Sequence, residues 1–188
     1  MRRFLKLLFI LVLLPILIGG IVLIVVGRPL AFEVLQRRIT QKFPEVSWIR
    51  TGELAHWRDD STRPQPVVLD ARTRAEFDVS HLKGASQIDP YRPSLRPLDG
   101  FPKDTPVVVY SSAGYRGARV TTWLAQAGYS NVQNLASSLF QWANEGRPLV
   151  RGDRPAATVH PYDRKWGWLL ERDYRASAPQ VEKQSAAP

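Results

Sequence analysis

Two adjacent serines lie where a catalytic nucleophile could lie, directly after a predicted strand, but the sequence does not supply the other groups that such a nucleophile needs. Ser111 and Ser112 begin a stretch of small residues that follows four β-forming residues and ends at Tyr115. A serine nucleophile needs a neighbouring base. Three histidines are present in the chain, His56, His81 and His160, and no Gly-x-Ser-x-Gly elbow surrounds either serine. The sequence therefore argues against a serine hydrolase.

Cysteine chemistry is excluded outright. None of the 188 residues is cysteine, so disulfides, Cys-ligated zinc, iron–sulfur clusters and thiolate nucleophiles are impossible. The absence does not identify a compartment, because a chain without thiols tolerates oxidising and reducing surroundings equally. No pattern in the sequence predicts a metal site or a cofactor.

The elements that must position these side chains alternate between strand and helix from Val46 onward. Thr51 is expected to cap the first helix, and the Thr73-x-x-Glu76 spacing predicts a capping box. Such alternation predicts an α/β fold whose largely parallel sheet is covered on both faces. Loops at the carboxyl ends of the strands carry function in such folds, and Asp70 and Ser111 lie there. Strands are predicted over 66–70, 85–88, 107–110 and 131–135, and helices over 51–57, from 73, over 116–127 and over 137–145.

Two segments together resemble the rhodanese (sulfurtransferase) domain family. The first, Val67–Phe77 followed by Ser80–Ala85, is similar to the family's strand, Asp-x-Arg, helix and His-x-x-Gly-Ala segment, with Asp70 and Arg72 as the pair. The second, Val107–Ala118, is similar to its strand and Cys-x-x-Gly-x-Arg active-site loop. The resemblance covers residues 46–150 and implies a central, parallel, five-stranded sheet flanked by helices.

The family's nucleophile is missing at the matching position. The cysteine of the family's loop corresponds to Ser111. A serine hydroxyl does not ionise near neutral pH and cannot carry a transferable sulfane sulfur. Ser137-Ser138 also replaces the family's Gly-Gly before the last helix, a change expected to be structural. The resemblance thus implies the fold without a catalytic residue.

An anion site is what the resemblance leaves in place. The family's loop points its backbone N–H groups inward, beside the N-terminus of the next helix. With the guanidinium of Arg116, this loop would cradle a tetrahedral oxyanion or a carboxylate. The alternative is a relict loop in which Arg116 merely pairs with a nearby carboxylate. The predicted anion-binding residues are Ser111, Ser112, Ala113, Gly114, Tyr115 and Arg116, supported by Asp70 and Arg72.

The positive charge of the chain is not distributed as nucleic-acid binding requires. The net charge is +9. Residues 1–45 hold seven basic and two acidic side chains, whereas residues 46–150 hold twelve and ten. A nucleic-acid partner would need a basic face on the folded domain, and the central region is close to balanced. We expect no nucleic-acid partner.

An apolar segment near the N-terminus predicts a membrane anchor. Residues 7–26 are uncharged and are mostly Leu, Ile and Val. As a helix, twenty residues span about 30 Å, the thickness of the hydrocarbon core. A cleaved signal peptide is the alternative, but this run is longer than usual and no A-x-A-like site follows it. We therefore expect an anchor over residues 1–27, with lipid contact through residues 7–26, followed by a juxtamembrane helix or linker over 28–45. Basic residues lie on both sides of the apolar run and barely decide its orientation. By analogy with signal anchors, we expect the soluble domain on the extracytoplasmic side.

The region after the domain divides into two parts. Residues 151–175, called the strap below, contain Trp166-Gly167-Trp168-Leu169-Leu170, and we expect Trp166 and Trp168 to pack on the domain. The alternative is a docking patch for a protein partner or the membrane interface. Residues 176–188 are small and polar, and are predicted to be disordered.

These observations favour a membrane-anchored, rhodanese-like domain that binds an oxyanion or a protein partner and is not a sulfurtransferase. Two alternatives remain open. One is a thiosulfate sulfurtransferase-type enzyme, as the resemblance itself would imply. The other is a purely structural module at the membrane.

Overall fold

The computed structural model describes residue 12 and residues 14–177. The chain divides into two compact units, the first ending at Leu35 and the second beginning at Gln36. The helices are α1 (Leu14–Lys42), α2 (Thr51–Asp59), α3 (Arg74–Val79), α4 (Tyr115–Gln126) and α5 (Ser138–Asn144). The strands are β1 (Ser47–Ile49), β2 (Val67–Asp70), β3 (Ser86–Gln87), β4 (Val107–Tyr110), β5 (Val132–Leu135), β6 (Leu149–Arg151) and β7 (Arg154–Ala156).

The central sheet has the five parallel strands that the resemblance implies. Their order is β1-β5-β4-β2-β3, and every pair among them is parallel. β4 lies at the centre because it is the most apolar strand, with all four residues buried. β6 and β7 form a separate antiparallel hairpin.

The sheet is covered on both faces, as the alternating pattern predicts. Val107 and Val109 of β4 belong to one core cluster, together with Val120 and Leu124 of α4. Side chains alternate along a strand, so Val108 and Tyr110, also fully buried, face the opposite layer. The parallel arrangement brings the carboxyl ends of β2 and β4 to one edge, where Asp70 is in register with Tyr110.

One predicted helix cap is wrong, and one predicted helix is part of a longer one. The residue before α2 that adopts the cap conformation is Arg50, and its N–H donates to the Glu53 carboxylate at 2.7 Å. Thr51 therefore does not cap α2, and its hydroxyl donates instead to Glu145. The helix expected within residues 28–45 is present as the C-terminal part of α1, which runs continuously to Lys42 with Pro29 inside it.

The predicted membrane span, residues 7–26, extends beyond the described residues. In the part of the chain that the structure describes, no helix is both long and apolar enough to cross a membrane.

The leucines of the strap are buried more deeply than its tryptophans. Leu169 and Leu170 are buried, whereas Trp166 and Trp168 are 36% and 46% exposed. The expectation that both tryptophans pack on the domain is therefore wrong. Ala176, predicted to begin the tail, is buried and donates its N–H to Val159 at 2.9 Å. The remainder of the predicted tail, residues 178–188, lies outside the described residues.

Candidate functional site

Hydrogen bonds from neighbouring elements to three of its carbonyl groups hold the loop between β4 and α4. The first N–H groups of α5, from Leu139 and Phe140, donate to the carbonyls of Ser111 and Ser112 at 3.1 and 3.0 Å. The Asn134 side chain donates to the Gly114 carbonyl at 2.8 Å. Three loop peptides are thus oriented by neighbouring elements of the domain.

This orientation determines where the N–H groups of the loop point. A trans peptide places its N–H opposite its carbonyl, and none of the described peptide bonds is cis. The N–H groups of Ser112, Ala113 and Tyr115 therefore point away from α5 and Asn134. Among the described residues, no protein acceptor receives any of these three. Several donors facing one concave loop form a site for an anion.

Two glycines make this geometry possible. Gly114 has a φ of +103°, which a side chain would strain. A Cβ on Gly117 would lie 2.2 Å from Oδ1 of Asn134, the residue that holds Gly114. Gly117 is therefore required for close approach of α4 to β5.

Ser111 is built into the loop rather than presented to a base. Its N–H donates to the Ser138 hydroxyl at 3.0 Å, and its Oγ accepts the N–H of Gly114 at 3.1 Å. No histidine is recorded as bonded to Ser111 within residues 14–177: His81 Nδ1 pairs with the Phe77 carbonyl and His160 Nδ1 with the Tyr162 N–H. The nucleophile–base pair of a serine hydrolase is missing from these contacts.

Arg116 pairs with the carboxylate of Glu76, for which the sequence predicts only a capping box with Thr73. Its Nη1 and Nη2 donate to the two oxygens of Glu76 at 2.8 and 2.6 Å, and Nη2 also donates to the Ser112 hydroxyl at 2.9 Å. Thr73 does cap α3, and its N–H and hydroxyl both donate to Glu76. The guanidinium is therefore engaged by Glu76, which matches the alternative of a nearby carboxylate partner.

The charges of this pair are strongly stabilised. Burial alone would raise the pKa of Glu76, but hydrogen bonds from Arg116, its charge and that of Arg72 lower the pKa to about 2. Burial alone would lower the pKa of Arg116, and Glu76 raises it overall. Both groups are ionised at neutral pH, so their charges cancel and the pair adds little net charge beside the loop.

Asp70 and Arg72 form a second buried pair beside the loop. Arg72 Nε and Nη2 donate to the Asp70 carboxylate at 2.6 to 3.1 Å, and Nη2 also donates to the Ser80 carbonyl. Burial opposes the charge of Arg72, but Asp70 raises its pKa. The pair joins the end of β2 to the segment after α3, so its position is structural. Arg72 Nη1 is buried and has no partner among the described groups.

Sequence reasoning missed several residues that shape the site. Asn134 and Ser138 hold the loop, and only long-range contacts reveal them. Ser137 and Ser138 both have a φ of +54°, the conformation for which glycine is favoured. The strap places the Tyr162 ring 4.9 Å from the Arg116 guanidinium carbon. No group of acidic or histidine side chains in the described residues has the arrangement of a metal site.

Comparison with known proteins agrees with this geometry. The sequence profile of the "Rhodanese-like domain" family matches residues 53–145. A sulfurtransferase of Allochromatium vinosum is 33% identical over 84 residues, which are 45% of this chain and 78% of that protein. A tRNA uridine(34) hydroxylase of Erwinia tasmaniensis is 27% identical over 139 residues, which cover 71% of this chain but only 39% of that protein.

Solved structures share the fold. A thiosulfate sulfurtransferase from Pseudomonas aeruginosa aligns with a TM-score of 0.55 and 21% identity, covering 72% of this chain and 26% of that one. A protein from Bacillus halodurans aligns with a TM-score of 0.54 and 16% identity, covering 73% and 97%. At these identities the alignments establish the architecture alone.

Proposed function

We propose that this chain, which belongs to the rhodanese-like domain family, is a non-catalytic member that binds a small oxyanion or carboxylate at residues 111–116. The observation that carries the proposal is the orientation of the loop peptides. α5 and Asn134 hold the carbonyls of Ser111, Ser112 and Gly114, and the opposing N–H groups have no acceptor among the residues that the structure describes. Buried backbone donors normally have a partner, and an anion would supply it.

Sulfur transfer is not part of the proposal. The family's chemistry needs a thiolate that becomes a persulfide, and Ser111 offers only a hydroxyl that already accepts the Gly114 N–H. The activities named for the sulfurtransferase and the tRNA uridine(34) hydroxylase belong to those proteins. This chain spans less than half of the hydroxylase of Erwinia tasmaniensis.

A purely structural role is the second candidate, and one observation favours it. Glu76 neutralises the Arg116 guanidinium within hydrogen-bond distance, as a relict loop would allow. A ligand specific for the folded state must raise its stability, whereas a structural module shows no such effect. Thermal unfolding of the full chain with thiosulfate, sulfate or phosphate, against chloride at equal ionic strength, separates the two.

A cysteine placed at the nucleophile position tests the geometry directly. Ser111→Cys should set a thiol among the loop N–H groups, where its pKa should fall below the free value of about 8.5. Ser86→Cys is the control, because residue 86 is exposed on β3, outside the loop, and its thiol pKa should not fall. Rates of alkylation against pH report both values.

The same variant tests ligand binding. Once alkylated, Ser111→Cys should lose stabilisation by oxyanions, because the adduct fills the loop. The wild type should transfer no sulfur from thiosulfate to cyanide. Equal alkylation of the two cysteine variants, with no oxyanion effect on the wild type, would replace our proposal with the structural module. Sulfur transfer by the wild type would refute the argument from the missing cysteine.

We further propose that residues 7–26 attach the chain to a membrane, with the domain on the extracytoplasmic side. Support comes from the uncharged length of that segment. The full chain should then resist extraction by carbonate, and a mature N-terminus near residue 30 would refute the anchor. A protein partner, if one binds, would meet the exposed aromatic side chains of the strap, Trp166 and Trp168.

A further inference from the structure

The strap brings two side chains to the Arg116–Glu76 pair from outside the family-matched residues. His160 and Tyr162 follow the end of that match, at residue 145, by more than a dozen positions. Tyr162 lays its ring on the guanidinium of Arg116 at 4.9 Å. That guanidinium itself contacts the Ser112 hydroxyl of the loop, so Tyr162 covers one face of the group bordering the proposed anion site.

A hydrogen bond that His160 accepts helps to hold the turn that carries Tyr162. His160 Nδ1 accepts the backbone N–H of Tyr162 at 2.9 Å. A ring nitrogen can accept only while it carries no proton, so His160 is neutral in this arrangement, with its proton on Nε2. Protonation of Nδ1 would place two donors against each other and remove the bond.

The surroundings of His160 oppose its positive charge. The side chain is buried, and the charged groups that act on it are Glu76, Arg72 and Arg116. Burial lowers the pKa of His160 below 6.5, the two arginines lower it further, and Glu76 acts in the opposite direction. Glu76 remains ionised through this range because its own pKa is about 2, so the Arg116 pair stays intact while His160 titrates.

The backbone of Tyr162 is held in an unfavourable conformation. Its φ is +66°, in the left-handed region where a tyrosine is strained. The residue is 43% exposed, so it is only partly covered by the rest of the chain. Three contacts hold the turn: the hydrogen bond to His160, the stacking on Arg116, and the Asp163 N–H, which donates to the Pro161 carbonyl at 2.9 Å. Of these, the bond to His160 is the one that protonation of the imidazole removes.

We infer that the strap is an acid-sensitive cover on the loop: neutral His160 keeps Tyr162 on Arg116, and protonated His160 releases it. The part of this inference that concerns ligands rests on the proposed anion-binding function. When Tyr162 leaves, the face of the guanidinium beside the loop opens to solvent and to an incoming oxyanion. Acid then exposes the site, and neutral pH keeps it covered.

Hydrogen exchange of the full chain tests the cover without any ligand. Each pH unit below about 6.5, the ordinary pKa that His160 regains when the turn opens, should weaken the closed turn by about tenfold until the lowered pKa of the closed turn is reached. The protection factors of the Tyr162 and Asp163 amides, which donate within the turn, should fall accordingly once corrected for intrinsic exchange. His160→Asn is the matched control, because its Oδ1 can accept the same N–H but does not titrate, and its protection should stay constant. Constant protection in the wild type, or an equal loss in His160→Asn, overturns the inference.

Oxyanion binding supplies the second measurement. Stabilisation by sulfate should increase in acid for the wild type, but should be high and independent of this transition in Tyr162→Gly, which lacks the cover and tolerates a positive φ. If Tyr162→Gly keeps the wild-type pH dependence, the charge of His160 and not the cover is responsible, and the inference about ligands is wrong. If sulfate binds at no pH while the protection still falls, the proposed function fails and the acid-sensitive cover stands.

Discussion

Replacing Glu76 with glutamine should remove the strongest electrostatic link between α3 and the loop. The side chain is 2% exposed, and its oxygens accept bonds from Arg116, Ser112 and Thr73. Glu76→Gln keeps the shape but leaves the guanidinium of Arg116 buried without a counter-charge. Breaking a buried pair in this way typically costs about 3–5 kcal/mol.

The pKa of Glu76 leads to a similar magnitude. The shift from 4.5 to about 2 corresponds to about 3 kcal/mol of stability at neutral pH, at about 1.4 kcal/mol for each pH unit. Because the folded-state pKa is depressed, this stability is fully present above 4.5 and is lost as the pH falls towards 2. The wild type should lose it in that window, and Glu76→Gln should not.

Urea unfolding of the full chain, followed by tryptophan fluorescence, measures the difference. We expect Glu76→Gln to be about 3 kcal/mol less stable at neutral pH and the difference to approach zero near pH 2. Glu145→Gln is the matched control: its ion pair with Arg147 is about 30% exposed on each side, so it should cost less than about 1 kcal/mol. A loss below about 1 kcal/mol for Glu76→Gln, or one that does not change with pH, would refute this reasoning.

Two further substitutions test the loop and the strap. Gly117→Ala should destabilise the chain by about 1–3 kcal/mol, because its Cβ would lie 2.2 Å from Asn134 Oδ1; Gly52→Ala, with 3.6 Å of clearance, should be neutral or stabilising. A harmless Gly117→Ala in urea unfolding would contradict the close approach of α4 to β5. Leu170→Ala should lower the free energy of unfolding by about 2–5 kcal/mol, and Trp168→Ala, at a more exposed position, should lower it much less. The reverse order would show that the tryptophans of the strap pack on the domain after all.

The architecture could be predicted from the sequence because its signals are local. Val107–Tyr110 is a run of β-formers, Gly128 ends α4 with a φ of +92°, and Thr73 with Glu76 forms the expected capping box. Alternating strands and helices allow few sheets, and the motifs around Asp70 and Ser111 point to one family. The absence of cysteine likewise needed no structure. These features depend on neighbours within a few positions.

Only the tertiary structure decided what surrounds the loop. Arg116 lies forty positions from Glu76, and Tyr162 reaches Arg116 from the strap, so no local pattern could choose between a free and a paired guanidinium. The tryptophans of the strap were expected inside because they are large and apolar. Burial depends on which side chains the rest of the chain covers, and in the strap these are Leu169 and Leu170. Sequence thus determined the loop and the absence of a sulfur nucleophile, while long-range packing determined the pairing of Arg116 with Glu76 and its contact with Tyr162.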